Sequence, residues 1–127
     1  MATAKILIVD DEKEICLYIK DIFGFEGFDA DYVTTAKEAF QKIEENGYGL
    51  ILIDIKLEGP VSGIEIIKSF RKSAKRPKII VISAMPQEAL KSVLQKEDVL
   101  DLMDGYLDKP GCCNPEKLTQ TVRELLG

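Results

Sequence analysis

The chain has 127 residues, 46% of them hydrophobic and 31% charged, with a net charge of −5 and no histidine. That is one domain's length with enough apolar residues for one core. No apolar run approaches the ~20 residues of a membrane span, and the opening MATAKILIVDD lacks the basic stretch and long apolar region of a secretion signal. The acidic balance argues against unaided nucleic-acid binding, which leans on Lys and Arg contacts to phosphate, and without histidine there is neither His-based catalysis nor a phosphohistidine carrier in this chain.

The first apolar run, KILIVDD, spans Lys5 to Asp11. After it Ile15, Ile19, Ile22 and Phe23 recur at helical spacing. FDADYV (Phe28 to Val33) alternates and suits a strand nearer a sheet edge. Thr35 with Glu38 forms a capping box, and Ala39, Phe40 and Ile43 make the next helical stripe. LILID (Leu50 to Asp54) is apolar throughout until its final carboxylate. Ser62 with Glu65 caps a third helix carrying Ile64, Ile67 and Phe70, which ends in the basic cluster Arg71 to Lys78, read as a solvated helix end and loop. KIIVIS (Lys78 to Ser83) is the fourth strand, and Leu90, Val93 and Leu94 mark the helix after it. GYLDKP (Gly105 to Pro110) is the last strand. Asn114-Pro115-Glu116 then supplies an N-cap, a first-turn proline and an acid to a helix carrying Leu118, Val122 and Leu125.

Strands rich in Ile, Val and Leu without polar alternation are those buried on both faces of a parallel sheet. The pattern is therefore α/β: a (βα)5 doubly wound five-stranded parallel sheet with helices on both faces and right-handed crossovers. With no repeat or linker, residues 1–127 read as a single domain. Three cysteines, Cys16 and the adjacent Cys112 and Cys113, build no disulfide framework, so the cytoplasm is the expected compartment. The adjacent pair lacks the histidine or second cysteine pair of a zinc site.

Each core strand stops on a particular polar residue: Asp10 and Asp11, then Asp54, Ser83 and Lys109. In open α/β sheets ligands sit beyond the carboxyl ends of the strands, where the strand order reverses. Singly each residue is ordinary; a strand-end Asp is commonly a solvated turn residue. Together, the runs VDDE (Val9 to Glu12), LIDIKLEG (Leu52 to Gly59), VISA (Val81 to Ala84) and YLDKP (Tyr106 to Pro110), in that order, make the chain resemble the receiver domain of bacterial response regulators over essentially its whole length.

The resemblance implies the strand order 2-1-3-4-5. In that order Asp10 and Asp11 lie one strand spacing, ~4.8 Å, from Asp54 on one side, and Ser83 lies one spacing away on the other. Lys109 lies two spacings off, and it has the longest side chain. Two carboxylates ~5 Å apart repel by about 3 kcal/mol at an effective dielectric of ~20, which a hard cation such as Mg2+ relieves. By resemblance Asp54 is a phosphoacceptor. Asp10, Asp11, Asp54 and the Lys56 main-chain carbonyl hold Mg2+, and Lys109 pairs with a phosphoryl oxygen. Ser83 donates its hydroxyl to another, and Tyr106 turns inward as Ser83 moves. Glu12 opens the first helix, where an acid suits the helix dipole, so metal binding is expected to rest on Asp11 more than on Glu12.

The function so implied is a two-component, phosphorelay switch and not an enzyme, apart from its own phosphorylation and dephosphorylation. Its expected phosphodonor is a histidine kinase or His phosphotransfer domain. Its output is a downstream protein target or a phosphorylation-dependent dimer, without direct nucleic-acid or membrane contact. Lys56 and Met85, two positions beyond Asp54 and Ser83, are expected to shield the phosphoryl group and slow its loss, since neither can orient a water.

The alternative is a haloacid-dehalogenase-like phosphatase using Asp54 as nucleophile, but the acid it needs two positions on is Lys56. A flavodoxin-like nucleotide binder lacks its glycine-rich loop after the first strand. Two departures from the receiver pattern stand out. Ser83 and Lys109 are 26 positions apart, a few more than usual, and Gly111-Cys112-Cys113 lengthens the approach to the last helix. The last helix runs out at Gly127, so a stand-alone regulator and the receiver of a longer protein are both open readings.

Overall fold

The computed structural model describes residues 5–57, 63–71, 76–109 and 114–126. Within them run β1 (Lys5–Val9), α1 (Lys13–Phe25), β2 (Asp29–Val33), α2 (Ala36–Glu45) and β3 (Leu50–Asp54). They are followed by α3 (Gly63–Lys68), β4 (Lys78–Ser83), α4 (Gln87–Lys96), a 3-10 turn (Leu100–Leu102), β5 (Gly105–Asp108) and α5 (Pro115–Leu126). The strands pair parallel in the order β2-β1-β3-β4-β5, as expected.

The unbroken apolar strands are explained by two cores. Leu7, Val9, Ile51, Ile53, Ile79 and Val81 point to one face, where α2, α3 and α4 cover them. Their neighbours Ile6, Ile8, Leu50, Leu52, Ile80 and Ile82 point to the other, against α1 and α5. Because alternate residues serve opposite cores, no interior position of β1, β3 or β4 can be polar. β2 lies at the edge and accordingly keeps the half-exposed Asp31 and Tyr32.

The capping box of α2 forms as read, with Thr35 Oγ1 accepting from the Glu38 amide at 3.2 Å. At α5 the Lys117 amide donates to Asn114 Oδ1 at 3.1 Å. The capping box proposed from Ser62, together with Pro110, Cys112 and Cys113, lies outside the described residues. Cys16 is buried at the start of α1.

Part of the span between Ser83 and Lys109 is the exit from α4. The helix stops at Lys96, Asp98 takes a left-handed conformation (φ 58°), and the 3-10 turn carries the chain to β5. Asp tolerates that region better than most residues. The described members of the basic cluster hold this excursion in place. Arg71 pairs with Asp101 at 2.9 Å and donates to the Asp98 carbonyl, while Arg76 pairs with Asp104 at 2.9 Å. Among the described residues no helix is long and apolar enough to cross a membrane.

Candidate functional site

The register brings the strand-end residues together. Val9 pairs with Ile53, so the next residues, Asp10 and Asp54, come side by side. Asp54 lies opposite Ile82, one step before Ser83, and Ser83 lies opposite Asp108, one step before Lys109. The Lys109 amide donates to the Ser83 carbonyl at 3.0 Å, extending the ladder to the site itself.

Three of these side chains are set by one local device. The amide two residues on donates back to each: Glu12 N to Asp10 Oδ1 at 2.8 Å, Lys56 N to Asp54 Oδ1 at 3.0 Å, and Met85 N to Ser83 Oγ at 3.0 Å. Such turns hold the side chain against its own loop. Each carboxylate therefore has one oxygen fixed by its loop and a second turned away from it. The Ser83 oxygen likewise accepts from its loop and keeps its proton to donate.

The second oxygens converge on Lys109. Its ammonium lies 3.0 Å from Asp54 Oδ2, 3.0 Å from Glu12 Oε1 and 3.4 Å from Asp10 Oδ2. The long side chain thus spans the two strand spacings, as its position implies. Burial works against its charge, but the hydrogen bonds to Asp54 and Glu12, with the nearby Asp10, hold its pKa above the ordinary lysine value.

Asp10 is the least comfortable group in the site. It is 0% exposed, and burial first, then the Asp54 charge, push its carboxyl up to about 6, against the opposing pull of the Glu12 amide and Lys109. Among the described residues its Oδ2 has the Lys109 ammonium at 3.4 Å as an ion-pair partner but no directed hydrogen bond. A buried carboxylate oxygen without a directed hydrogen bond suits a hard cation as a ligand. Asp10, Asp11 and Glu12 each bring a carboxylate oxygen within 4.8 Å of the others. The oxygen chemistry of this group fits Mg2+.

On the other side of Asp54, Ser83 is buried, and its loop connects it to Tyr106. The Met85 peptide donates its N–H to Ser83 and accepts from the Tyr106 hydroxyl at 3.1 Å. Tyr106 is half-buried against the α2–α4 core. Lys56 is exposed, and together with Met85 it lines the open cleft, of about 530 Å³, that leads to Asp54.

Cys16 closes the floor of the site. Its thiol donates to the Asp10 carbonyl at 3.3 Å, and burial, with Asp10 adding to it, pushes its pKa up to about 12. It stays a protonated core group.

Two features escaped the sequence reading. Glu12, taken as an acid for the helix dipole, makes no side-chain cap bond although it is the N-cap of α1; it spends its carboxylate on Lys109. Glu is an uncommon N-cap, and that oddity was the available signal. Gly63 is the other: a Cβ there would lie 2.3 Å from the Asp54 carbonyl oxygen, a contact no local pattern announces.

Residues 6–123 match the family described as the response regulator receiver domain. Among curated proteins the chain is 32% identical to the response regulator ArlR of Staphylococcus saprophyticus over 96% of its own length and 52% of the relative's. The chain spans about half the length of the first curated relatives it matches. Among solved structures it is similar to a CheY-like receiver domain protein from Methanospirillum hungatei, with 30% identity, a TM-score of 0.83, and 98% and 94% of the two chains covered. It is also similar to the response regulator TrrA of Thermotoga maritima, solved in complex with Mg2+ and BeF, with 31% identity, a TM-score of 0.79, and 98% and 100% covered.

Proposed function

We propose that this chain, which belongs to the response regulator receiver domain family, works as a phosphorylation-controlled binding switch with Asp54 as its phosphoacceptor. The observation that carries the reading is the setting of Asp54. One oxygen is fixed by the Lys56 amide, the other is held at 3.0 Å by Lys109, and an undersatisfied Asp10 stands beside it.

A carboxylate needs to be ionised and oriented to attack phosphorus. Lys109 pairs with the second oxygen of Asp54, and the Lys56 turn sets the orientation. The donor is a phosphohistidine on a separate kinase or phosphotransfer domain, since this chain has no histidine. An Asp54 oxygen forms a bond to phosphorus, the P–N bond breaks, and imidazole leaves. Lys109 then passes to a phosphoryl oxygen, and the Ser83 hydroxyl donates to another. Asp10, Asp11 and Asp54, with the Lys56 main-chain carbonyl, would hold Mg2+. That ion supplies neutralisation of the charge on the transferring group.

The output follows the bonds already present. Ser83 moving toward the phosphoryl group draws on the Met85 peptide, and the Met85 carbonyl holds the Tyr106 hydroxyl. The change therefore arrives on the β4–β5 face, where a downstream protein or a second phosphorylated copy would read it. Contact with nucleic acid is not assigned to this domain.

The test is incubation with acetyl phosphate and Mg2+ followed by intact mass. A single acid-labile addition of about 80 Da is expected in the wild-type chain and none in Asp54→Asn. A Mg2+-dependent addition that survives in Asp54→Asn would sink the assignment. Continuous turnover without accumulation would point instead to a phosphatase.

A further inference from the structure

We infer that Glu12 is a rate-setting residue that occupies the Lys109 N–H the phosphoryl group must claim. The inference rests on Asp54 being the phosphoacceptor and concerns how fast it is loaded. An ammonium has three N–H donors. Among the described residues Lys109 holds the carboxylates of Asp54 and Glu12 at 3.0 Å and ion-pairs with that of Asp10 at 3.4 Å. For Lys109 to take a phosphoryl oxygen while still facing Asp54 and Asp10, one partner has to leave.

Exposure decides which. The Asp10 and Asp54 side chains are 0% and 5% exposed, that of Glu12 is 58%. Releasing a buried carboxylate leaves it without a counter-ion, whereas Glu12 returns to water. Among the described residues nothing else ties its carboxylate down: Glu12 sits at the N-cap of α1 without capping it, and its backbone is fixed independently by the hydrogen bond from its amide to Asp10 Oδ1. Glu12 also lines the cleft through which a donor reaches Asp54. It is therefore the displaceable partner, and each phosphorylation has to break its ion pair with Lys109.

The consequence is a brake on phosphorylation. Glu12→Gln removes the charge. Glu12→Asp keeps the charge but shortens the side chain by a methylene, so it no longer reaches Lys109. Both are expected to load from acetyl phosphate and Mg2+ about three- to fivefold faster than wild type at low ionic strength, the size of a half-exposed ion pair. In 1 M KCl, where screening acts within ~3 Å, the gain is expected to fall below about twofold. Without metal, the melting shifts of Glu12→Gln and Lys109→Met are expected to be non-additive, because each removes the same pair.

Equal loading rates in wild type and both variants would overturn the inference, as would a gain that persists unchanged in 1 M KCl. A fast Glu12→Gln beside a Glu12→Asp as slow as wild type would assign the effect to the field at the cleft mouth and overturn the sharing of Lys109. Asp54→Asn run alongside separates the two layers. If it is still labelled, the phosphoacceptor reading fails. If it is silent while the Glu12 variants match wild type, only the brake fails. A chain that no small donor labels leaves the metal-free melting cycle to decide, additive shifts counting against the pair.

Discussion

Gly63→Ala is expected to melt about 10 °C below the wild-type chain. Gly63 is the first residue of α3, and its amide donates to the Ile55 carbonyl at 3.1 Å, seating the helix on the end of β3. A Cβ there would stand 2.3 Å from the Asp54 carbonyl oxygen and 3.1 Å from both the Asp54 carbonyl carbon and Ile55 Cα. All three are backbone atoms of the buried central strand and its continuation, so none can swing aside. Either α3 lifts off the sheet, uncovering Ile64, Ile66 and Ile67, or the peptide after Asp54 is displaced. Overpacking of this kind costs about 3 kcal/mol. The gain in helix propensity from Gly to Ala, at most about 1 kcal/mol, offsets only part of it. Gly47→Ala is the matched control, since a Cβ there meets nothing within 4 Å. Thermal melts of the two variants decide the point, and a Gly63→Ala chain as stable as Gly47→Ala would refute the contact. Because the displaced peptide belongs to Asp54, slower phosphorylation should accompany the lost stability.

The second large effect runs the other way. Asp10→Asn is expected to stabilise the metal-free chain at pH 8 by about 2 kcal/mol. Burial, with Asp54 adding to it, raises the Asp10 carboxyl from 3.8 to about 6. The folded state therefore binds a proton more tightly than the unfolded chain does. Between pH 3.8 and about 6 the native protein carries more protons than the unfolded one, so stability falls as pH rises through that window and levels off above it. At pH 8 the full penalty of the ionised carboxylate is present, equivalent to about 3 kcal/mol for a shift of this size. That penalty is already net of the pull of Lys109 at 3.4 Å; burying the Asn amide in place of the carboxyl costs part of the relief. Near pH 4.5 native Asp10 is largely protonated and the advantage of Asn should fall to about a third, disappearing below pH 3.8. The same substitution removes a ligand from the acidic group, so stabilisation by Mg2+ should weaken sharply. Melts at the two pH values, with and without Mg2+, test this. A less stable Asp10→Asn at pH 8 without metal, or an equal advantage at both pH values, would show that Asp10 is not the strained group. The site thus holds a carboxylate that is unfavourable for folding and suited to a cation.

Much of this was legible in the chain alone. The strand and helix periods are local, and so are the polar residues on which the apolar runs end. The five apolar runs and the five helical stripes sit where the elements are found. Asp10, Asp54 and Ser83 could be picked out because strands buried on both faces admit no polar residue before their ends. The exit from α4 was less legible. It has no glycine at the left-handed position, and Asp98 fills that place. Nor did the basic cluster show its acids: Arg71 and Arg76 pair with Asp101 and Asp104, about thirty positions away in the chain.

The sequence by itself determined the alternation of strands and helices and the kind of residue each strand ends on. Periodicity and strand termination depend on neighbours a few positions apart. Only the tertiary structure decided how those residues divide their bonds. Glu12 and Lys109 are 97 positions apart and meet because β1 and β5 are drawn into one sheet. Lys109 could have served any of three carboxylates, and burial, strand register and the loop amides settle that it hydrogen-bonds Asp54 and Glu12 and meets Asp10 only as an ion pair at 3.4 Å. Gly63 matters because a helix start lands on one peptide of the central strand. Such contacts are distances of a few ångströms between segments remote in sequence, and packing sets them, where local patterns set only the segments.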